Sequence, residues 1–398
     1  MVVKPAWLVV LAGVVAALQV GKIAPALPAL QAQLDLGWVA SGFLLSTVQL
    51  AGLLMAVVVG LLTDGFGLRR TLLTGLSLLS MASALGGLAR DVPLLLVCRA
   101  FEGIGFLLVV LPAPGLIRRL VPGQQLSGML GLWGAYMPAG TALALLLGPV
   151  FIQHWGWVSW WWVFAVLSLL MAVVVWQSLP PDPVRAHRQA PQLRLRLRST
   201  LSTSGPWLVA LTFALYSSQW MAVIGFLPSI YAAAGVSGSL LGVLSALAAA
   251  MNIVGNVASG RLIQRGWSVR TTLWLGFGAM ALGSTLAFVS MTAPWPWLRY
   301  AGVLLFSGAG GLVPGTLFYL AVRLAPGEQQ IATTVGWVQQ LSAFGQFFGP
   351  PVVAAVAAQA GGWQLTPVVT VSCSALGAWM AWLAHRALRL RAAQSLHG

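Results

Sequence analysis

Residues 60–70 read GLLTDGFGLRR, and residues 260–270 read GRLIQRGWSVR. Each stretch is a short polar turn between two long apolar segments, with glycine at its start and arginine at its end. The second stretch keeps the spacing of the first but has lost its acid, because Gln264 stands where the first has Asp64. This recurrence predicts that the chain consists of two related halves.

The composition predicts a membrane protein. Hydrophobic residues make up 59% of the chain and charged residues 7%, against roughly 45–50% and about 25% in soluble domains. The 398 residues divide into apolar stretches of roughly 20–28 residues, long enough to cross ~30 Å of hydrocarbon. A chain in lipid must satisfy its own backbone hydrogen bonds, so these spans are predicted to be helices.

We predict an all-α polytopic membrane protein with twelve transmembrane helices, six in each half. Because six is even, corresponding turns leave the membrane on the same side, and the halves form two six-helix bundles with a parallel pseudo-twofold repeat. The predicted spans lie near residues 6–30, 37–63, 70–90, 93–119, 125–153, 159–179, 207–233, 237–264, 270–292, 297–323, 329–358 and 365–388.

The longest connection marks the predicted domain boundary. Residues 1–180 form the N-terminal bundle, 181–206 a cytoplasmic basic linker, and 207–398 the C-terminal bundle with a short basic tail. Prolines at the start of the linker end the preceding helix. The run LRLRLR at 193–198 either binds anionic lipid headgroups or is a solvated linker.

The formal net charge of +15 raises the question of a nucleic-acid partner, but the distribution of the charges argues against one. Most of the 21 lysines and arginines fall in segments that share one side under the predicted topology. Arg90 and Arg299 fall near the other side, whereas Lys22 and Arg99 fall within spans. This positive-inside bias predicts a cytoplasmic (inner) membrane protein with both termini in the cytoplasm.

The chain resembles the major facilitator superfamily over essentially its whole length. The first turn is similar to the superfamily's loop motif between the second and third helices, in Gly60, Asp64, Gly67, Arg69 and Arg70. Arg99, Glu102 and Gly103 are similar to a fourth-helix motif of many proton-coupled members. The resemblance implies the superfamily fold and implies that the turn acts as a conformational latch. Asp64 would pair with the arginines or with a helix N-terminus.

Arg99 and Glu102 are three residues apart, so they share one face of the fourth helix. Glu102 lies about 13 Å inside the span, where a charge needs a partner or a wet cavity. We expect a buried ion pair, in which proton binding at Glu102 would release Arg99. A static pair that fixes helix packing is the alternative.

Lys22 is a second intramembrane charge, about 12 Å from the outer end of the first helix. Gln19 lies one turn earlier on a similar face. Lys22 either binds an anionic substrate in a central cavity or pairs with Glu102, and a structural role is a third option. Further candidates for the substrate cavity are uncharged polar residues at membrane depth: Gln49, Tyr136, Tyr216, Gln219, Asn252, Asn256, Tyr319, Gln339 and Gln340.

Small residues let membrane helices approach closely. Five glycines within the predicted spans are therefore expected to mark packing seams, namely Gly103, Gly105, Gly140, Gly345 and Gly349.

The sequence shows no catalytic constellation, no metal-ligand spacing and no nucleotide-binding loop, so we expect neither an enzyme nor a cofactor. We predict a secondary active transporter that works by alternating access, coupled to protons, for export of a small amphipathic compound. Its partners would be a small-molecule substrate, protons and the lipid bilayer, without nucleic acid, and a monomer is expected by analogy.

Two alternatives stay open at this point. The first is an uptake permease for a small anion, because the chain has a weaker likeness to the cyanate and nitroimidazole permease group. That likeness rests on GLW at 131–133 and FLP at 226–228, and Lys22 would then be the anion ligand. The second is a membrane sensor that transports nothing.

Overall fold

The structure is a computed structural model, which describes residues 5–122, 129, 132–182, 190–327 and 330–397. Side chains at 60–65, 190–194, 196, 332 and 390–397 also lie outside the description. Across the described ranges the regular structure is helical, with no strand. The α-helices are α1 (Pro5–Gly21), α2 (Ile23–Leu34), α3 (Trp38–Ser46), α4 (Leu50–Phe66), α5 (Leu68–Gly86), α6 (Val92–Val110), α7 (Ala113–Leu120), α8 (Tyr136–Ser178), α9 (Ala190–Leu201), α10 (Ser204–Ala233), α11 (Gly238–Gln264), α12 (Val269–Phe288), α13 (Pro296–Gly310), α14 (Leu312–Arg323), α15 (Ile331–Ala360) and α16 (Thr366–His397).

Ten helical segments of the described chain are long and apolar enough to cross a membrane. One of them, α8, has 43 residues but is interrupted at Gly156, whose φ of 77° and ψ of 165° are not helical. Gly156 therefore separates the predicted fifth and sixth spans. The predicted third span corresponds to α5, a 19-residue helix that begins beside two arginines. The predicted linker contains the additional helix α9.

The described chain packs into two compact units. Unit 1 comprises Met1–Arg188 and Val223–Ala250, and unit 2 comprises Gln189–Ala222 and Met251–Gly398. Helices α10 and α11 each contribute residues to both units.

Unit 1 is held together along seams of small residues. A Cβ at Gly103 on α6 would overlap the carbonyl of Val48, and a Cβ at Gly105 would overlap the carbonyl of Gly75 on α5. Gly140 on α8 is equally close to α1. These contacts bring α6 against α5, and α8 against α1, closely enough for polar side chains on the four helices to meet.

Glycines also permit close contacts between helices in unit 2. A Cβ at Gly345 on α15 would overlap the carbonyl of Ala214 on α10, and a Cβ at Gly349 would overlap that of Ser218. Each of the five glycines expected at packing seams therefore lies where another helix approaches too closely for a side chain. Close backbone approach of this kind supports van der Waals packing in lipid, where hydrophobicity does not drive helices together.

Candidate functional site

Lys22 lies between α1 and α2, where the backbone stays helical, with φ of −61° and ψ of −26°. Pro25, in the first turn of α2, has no N–H to donate to the carbonyl of Gly21, and its ring crowds that carbonyl. The carbonyl of Lys22 accepts a hydrogen bond from the indole N–H of Trp160, at 3.2 Å. Trp160 thus links this point of the first span to α8.

All three donors of the Lys22 ammonium are occupied. Nζ lies 2.5 Å from Glu102 Oε1 and donates to Gln19 Oε1 and Ser83 Oγ, each at 2.7 Å. The ring of Trp161 lies 4.7 Å from Nζ, within range of a cation–π contact. The acceptors belong to α6, α1 and α5, so this one side chain joins three helices.

Arg99 binds the other oxygen of Glu102. Its Nη1 lies 2.6 Å from Glu102 Oε2 and donates to the carbonyl of Gln19 at 2.8 Å. The buried Nε and Nη2 of Arg99 have no hydrogen-bond partner in the described part of the chain. The structure thus contains the ion pair expected from the spacing on α6, whereas the role of that pair in proton coupling stays a prediction.

We use the name charged cluster for five side chains: Gln19, Lys22, Ser83, Arg99 and Glu102. Each has a relative exposure of 0%. Gln19 Nε2 also donates to Ser168 Oγ on α8, at 2.9 Å. Removing charges from water is costly unless they are paired and hydrogen-bonded, and the cluster meets this condition for Glu102 and Lys22.

The contacts of Lys22 match one of its predicted roles, the pairing with Glu102, whereas its role as a substrate ligand stays a prediction. The ammonium pairs with Glu102 and is enclosed by protein, so none of its donors is free for an anionic substrate. Gln19, predicted to line the cavity, is likewise used within the cluster.

Asp182 caps the N-terminus of α5 from a distant part of the chain. Its Oδ1 accepts from the backbone N–H of Arg69 at 3.1 Å, and its Oδ2 from that of Arg70 at 3.0 Å. Arg119, in the last turn of α7, lies 3.0 Å from Oδ1. Gly67 precedes α5 with a φ of +106°, and a Cβ there would overlap the Asp182 carboxyl.

Asp182 makes a contact with a helix N-terminus of the kind that was predicted for Asp64. The side chains at Gly60 and Asp64 lie outside the described residues, so the predicted role of Asp64 stays a prediction. The acid that the structure places on the N–H groups of Arg69 and Arg70 is Asp182, 113 residues further along the chain. Negative charge at a helix N-terminus is favourable, and here it also links α5 to α7.

The environment of Asp182 stabilises its charged form. Partial burial alone would raise the pKa of the Asp182 carboxyl. The N–H groups of Arg70 and Arg69 and the guanidinium of Arg119 lower this pKa more strongly, so the net pKa lies below its ordinary value. The carboxylate is therefore the form that binds the turn at neutral pH.

Unit 2 contains a polar cluster whose members carry no formal charge and of which all but Asn256 are buried. Asn252 Nδ2 donates to Tyr216 Oη at 2.8 Å and to the carbonyl of Ser307 at 2.9 Å. Asn256 Nδ2 donates to Asn252 Oδ1 at 2.9 Å. We call these four residues, on α10, α11 and α13, the amide cluster. Hydrogen bonds of this kind hold membrane helices together.

The other residues predicted to line a substrate cavity have varied surroundings. Gln219 Oε1 accepts from Ser374 Oγ at 3.1 Å. Tyr136 stacks on Trp133, with ring centroids 4.4 Å apart. The rest differ in exposure: Gln49 is buried, Gln339 and Gln340 are partly buried, and Tyr319 is exposed. Their role as substrate ligands stays a prediction.

The family model for the Major Facilitator Superfamily matches residues 9–350 and 209–395. The chain belongs to this superfamily, and its described helices are those of a multi-pass membrane protein.

Curated relatives match part of the chain. A tetracenomycin C resistance and export protein of Streptomyces glaucescens is 32% identical over 140 residues, which cover 34% of this chain and 25% of that protein. A puromycin resistance protein of Streptomyces alboniger is 32% identical over 201 residues, or 49% of this chain and 38% of that protein. The matched part of the chain thus spans well under half the length of either relative.

Solved structures match nearly the whole chain. A bacterial homolog of the human lysosomal transporter Spinster, inward-facing and occupied, superposes with a TM-score of 0.79 at 16% identity, covering 96% of both chains. A D-xylose–proton symporter gives a TM-score of 0.74 at 16% identity, over 95% of this chain and 96% of that one. At this identity the likeness concerns the fold alone. The predicted all-α polytopic fold of the superfamily is confirmed.

The sequence analysis missed two polar residues that the structure places in these contacts. Ser83 accepts from Lys22 and donates to the carbonyl of Trp161 at 2.9 Å. Asp182 binds the first turn. The scarcity of acids, six against 21 basic residues, could have drawn attention to Asp182, whereas Ser83 carried no comparable signal.

Proposed function

We propose that this protein is a proton-coupled secondary transporter that exports small amphipathic compounds. The observation that carries the proposal is the charged cluster, because ionisable groups within membrane spans are costly and mark ion or substrate pathways. Lys22 and Arg99 lie within predicted spans, and each forms an ion pair with Glu102. A group of this kind can exchange a proton with water whenever a conformational change opens it to one side of the membrane.

The direction of transport is proposed from the relatives. Both curated proteins described above are named for resistance to an organic compound, tetracenomycin C or puromycin, and one is also named for export. An amphipathic organic compound is the substrate class that these names and the apolar composition favour.

The uptake of a small anion is the second candidate. It required Lys22 to bind the substrate, but the Lys22 ammonium is fully occupied by Glu102, Gln19 and Ser83. We therefore rank export above uptake. A sensor that transports nothing is ranked last, because the chain belongs to a transporter family.

We further propose the membrane orientation and the organisation of the chain. The basic residues favour the cytoplasmic membrane with both termini in the cytoplasm, and a monomer is proposed by analogy with the family. The bundles at 1–180 and 207–398, joined by the linker 181–206, remain our proposed domains. We retain the first turn as a conformational latch and add Asp182 to it.

The proposal is tested with purified protein in liposomes that contain a trapped pH-sensitive dye. Puromycin, tetraphenylphosphonium and cyanate are added in turn, and substrate-dependent movement of protons is recorded. We expect proton movement with puromycin or the lipophilic cation, and its loss in Glu102→Gln. Substrate flux without proton movement would leave a uniporter or exchanger, and proton-coupled flux of cyanate alone would favour anion uptake.

A further inference from the structure

The charged cluster carries one more positive charge than negative charges. Lys22 and Arg99 are cations, Glu102 is the single anion of the cluster, and all three are fully buried. Buried net charge is costly in free energy. The cluster is therefore arranged so that the loss of one positive charge makes it neutral.

Glu102 is poorly placed to accept a proton. Its Oε1 lies 2.5 Å from Lys22 Nζ and its Oε2 lies 2.6 Å from Arg99 Nη1, so both oxygens already accept from cations. A proton on either oxygen would displace one of these donors. It would also leave two buried cations without an anion, which raises the net charge of the cluster instead of cancelling it.

Loss of a proton from Lys22 has the opposite effect. Arg99 stays protonated in proteins, so its ion pair with Glu102 persists and the cluster becomes neutral. A neutral amine keeps two N–H donors, enough for Glu102 and Gln19. The hydroxyl of Ser83, which now accepts from Nζ and donates to the carbonyl of Trp161, can rotate to donate to the amine lone pair. The same side chains can therefore hold Lys22 in both protonation states.

We propose that Lys22, rather than Glu102, binds and releases the coupling proton; this inference rests on the proton-coupled transport proposed above. In each cycle the Lys22 ammonium releases one proton to water on one side of the membrane and becomes an amine. The amine then takes one proton from the other side, and only the N–H bond breaks and forms. The cluster alternates between one positive charge and none, which suits exchange of a proton for a cationic compound.

Other titratable groups near Lys22 are few. Among the described residues, the titratable groups that interact electrostatically with Lys22 are Glu102, Arg99 and Cys98, all on α6. The neighbouring helices contribute Gln19 from α1 and Ser83 from α5, which do not titrate. Cys98 is therefore the remaining competitor, and Cys98→Ala serves as its control.

The test separates proton movement from substrate movement. Wild type, Lys22→Met, Lys22→Arg and Cys98→Ala are placed in liposomes with the trapped dye, and proton movement driven by tetraphenylphosphonium or puromycin is recorded. Counterflow of the same labelled compound, without a pH gradient, measures transport that needs no proton. We expect Lys22→Met to lose proton movement and keep counterflow, because Arg99 and Glu102 remain a neutral pair. Lys22→Arg should lose proton movement because its guanidinium cannot release the proton, and Cys98→Ala should keep both.

The outcomes distinguish the two proposals. If wild type moves no protons with any probe, the proposed function fails and the inference falls with it. If wild type and Lys22→Met both move protons, only the inference is overturned. Should Lys22→Met fail to fold, infrared difference spectra of wild type between acidic and alkaline pH decide the matter. A carboxylic-acid band that disappears in Glu102→Gln would assign the proton to Glu102 and overturn the inference, whereas we expect no such band.

Discussion

Both units bury a polar cluster between helices at membrane depth, but only the cluster of unit 1 is charged. The sequence RLVPG at 119–123 recurs as RLAPG at 323–327, and on this 204-residue offset the positions of Arg99 and Glu102 correspond to Val303 and Phe306. Those two residues are buried and apolar.

Ser307, the residue that follows Phe306, belongs to the amide cluster. The same type of helix therefore carries an ion pair in one unit and a hydrogen-bonded serine in the other. The amide cluster shows that neutral groups can hold helices together without the cost of desolvating charges. Helix packing alone therefore does not require an ion pair. The difference favours a functional reason for the charge in unit 1.

The largest effect is expected from removing the single anion of the charged cluster. Glu102→Gln leaves Lys22 and Arg99 buried without a counter-charge, and breaking a buried pair in this way costs about 3–5 kcal/mol. The melting temperature in detergent should fall clearly below that of wild type.

A charge-balanced control identifies the cause of this loss. The double variant Arg99→Met/Glu102→Gln removes one charge of each sign, so it should recover a large part of the stability lost in Glu102→Gln alone. A double variant that is no more stable than the single one would show that the loss comes from packing and not from unpaired charge.

The contacts within the charged cluster also show what a sequence can predict. The Arg99–Glu102 pair was predictable because residues three apart on a helix share a face whatever the rest of the fold does. The pairing of Lys22 with Glu102 joins residues 80 positions apart, and from the sequence it was one of several options. Ser83 was missed because a serine in an apolar span has no local signal.

The fold itself was largely predictable, because the number and length of membrane spans follow from local hydropathy. Two features of the helices were not predicted. The division of the first span into α1 and α2 was not predicted, although Pro25 removes one helical hydrogen bond there. The helix α9 in the linker was not distinguished from an irregular segment, because alternating leucine and arginine is not the helical period.

A smaller effect is expected from the amide cluster. Asn252→Leu removes the donor to Tyr216 and to the carbonyl of Ser307, and interhelical hydrogen bonds in membranes are worth about 0.6–2 kcal/mol. The melting temperature should fall modestly, while the number of protons moved per substrate stays unchanged.

Asn256→Leu is the matched control for this prediction, because Asn256 bonds only within its own helix in the contacts given above. It should cost less than Asn252→Leu. A changed proton stoichiometry in Asn252→Leu would remove the proposed distinction between a coupling cluster and a packing cluster.

The smallest change in stability is expected at the two copies of the turn. The helices that follow them, α5 and α12, are capped differently. In unit 2, Ser268 caps α12 locally, with its Oγ accepting from the N–H of Thr271 at 3.0 Å. In unit 1, the N-cap position of α5 is Gly67, which has no side chain, and Asp182 supplies the cap from a distance. Of these two caps, only Asp182 at α5 is a titratable group.

Stability should therefore depend on pH through Asp182 and not through Ser268. The pKa of the Asp182 carboxyl is lowered in the folded protein, so its contribution is present above the unfolded pKa and is lost as pH falls through the folded pKa. Asp182→Asn should lower the melting temperature slightly near neutral pH, and the difference from wild type should shrink on acidification. Ser268→Ala should also lower it, but by an amount that does not change with pH. A pH-independent difference for Asp182→Asn would mean that the carboxylate charge does not stabilise this end of α5, and the two turns would then differ in geometry alone.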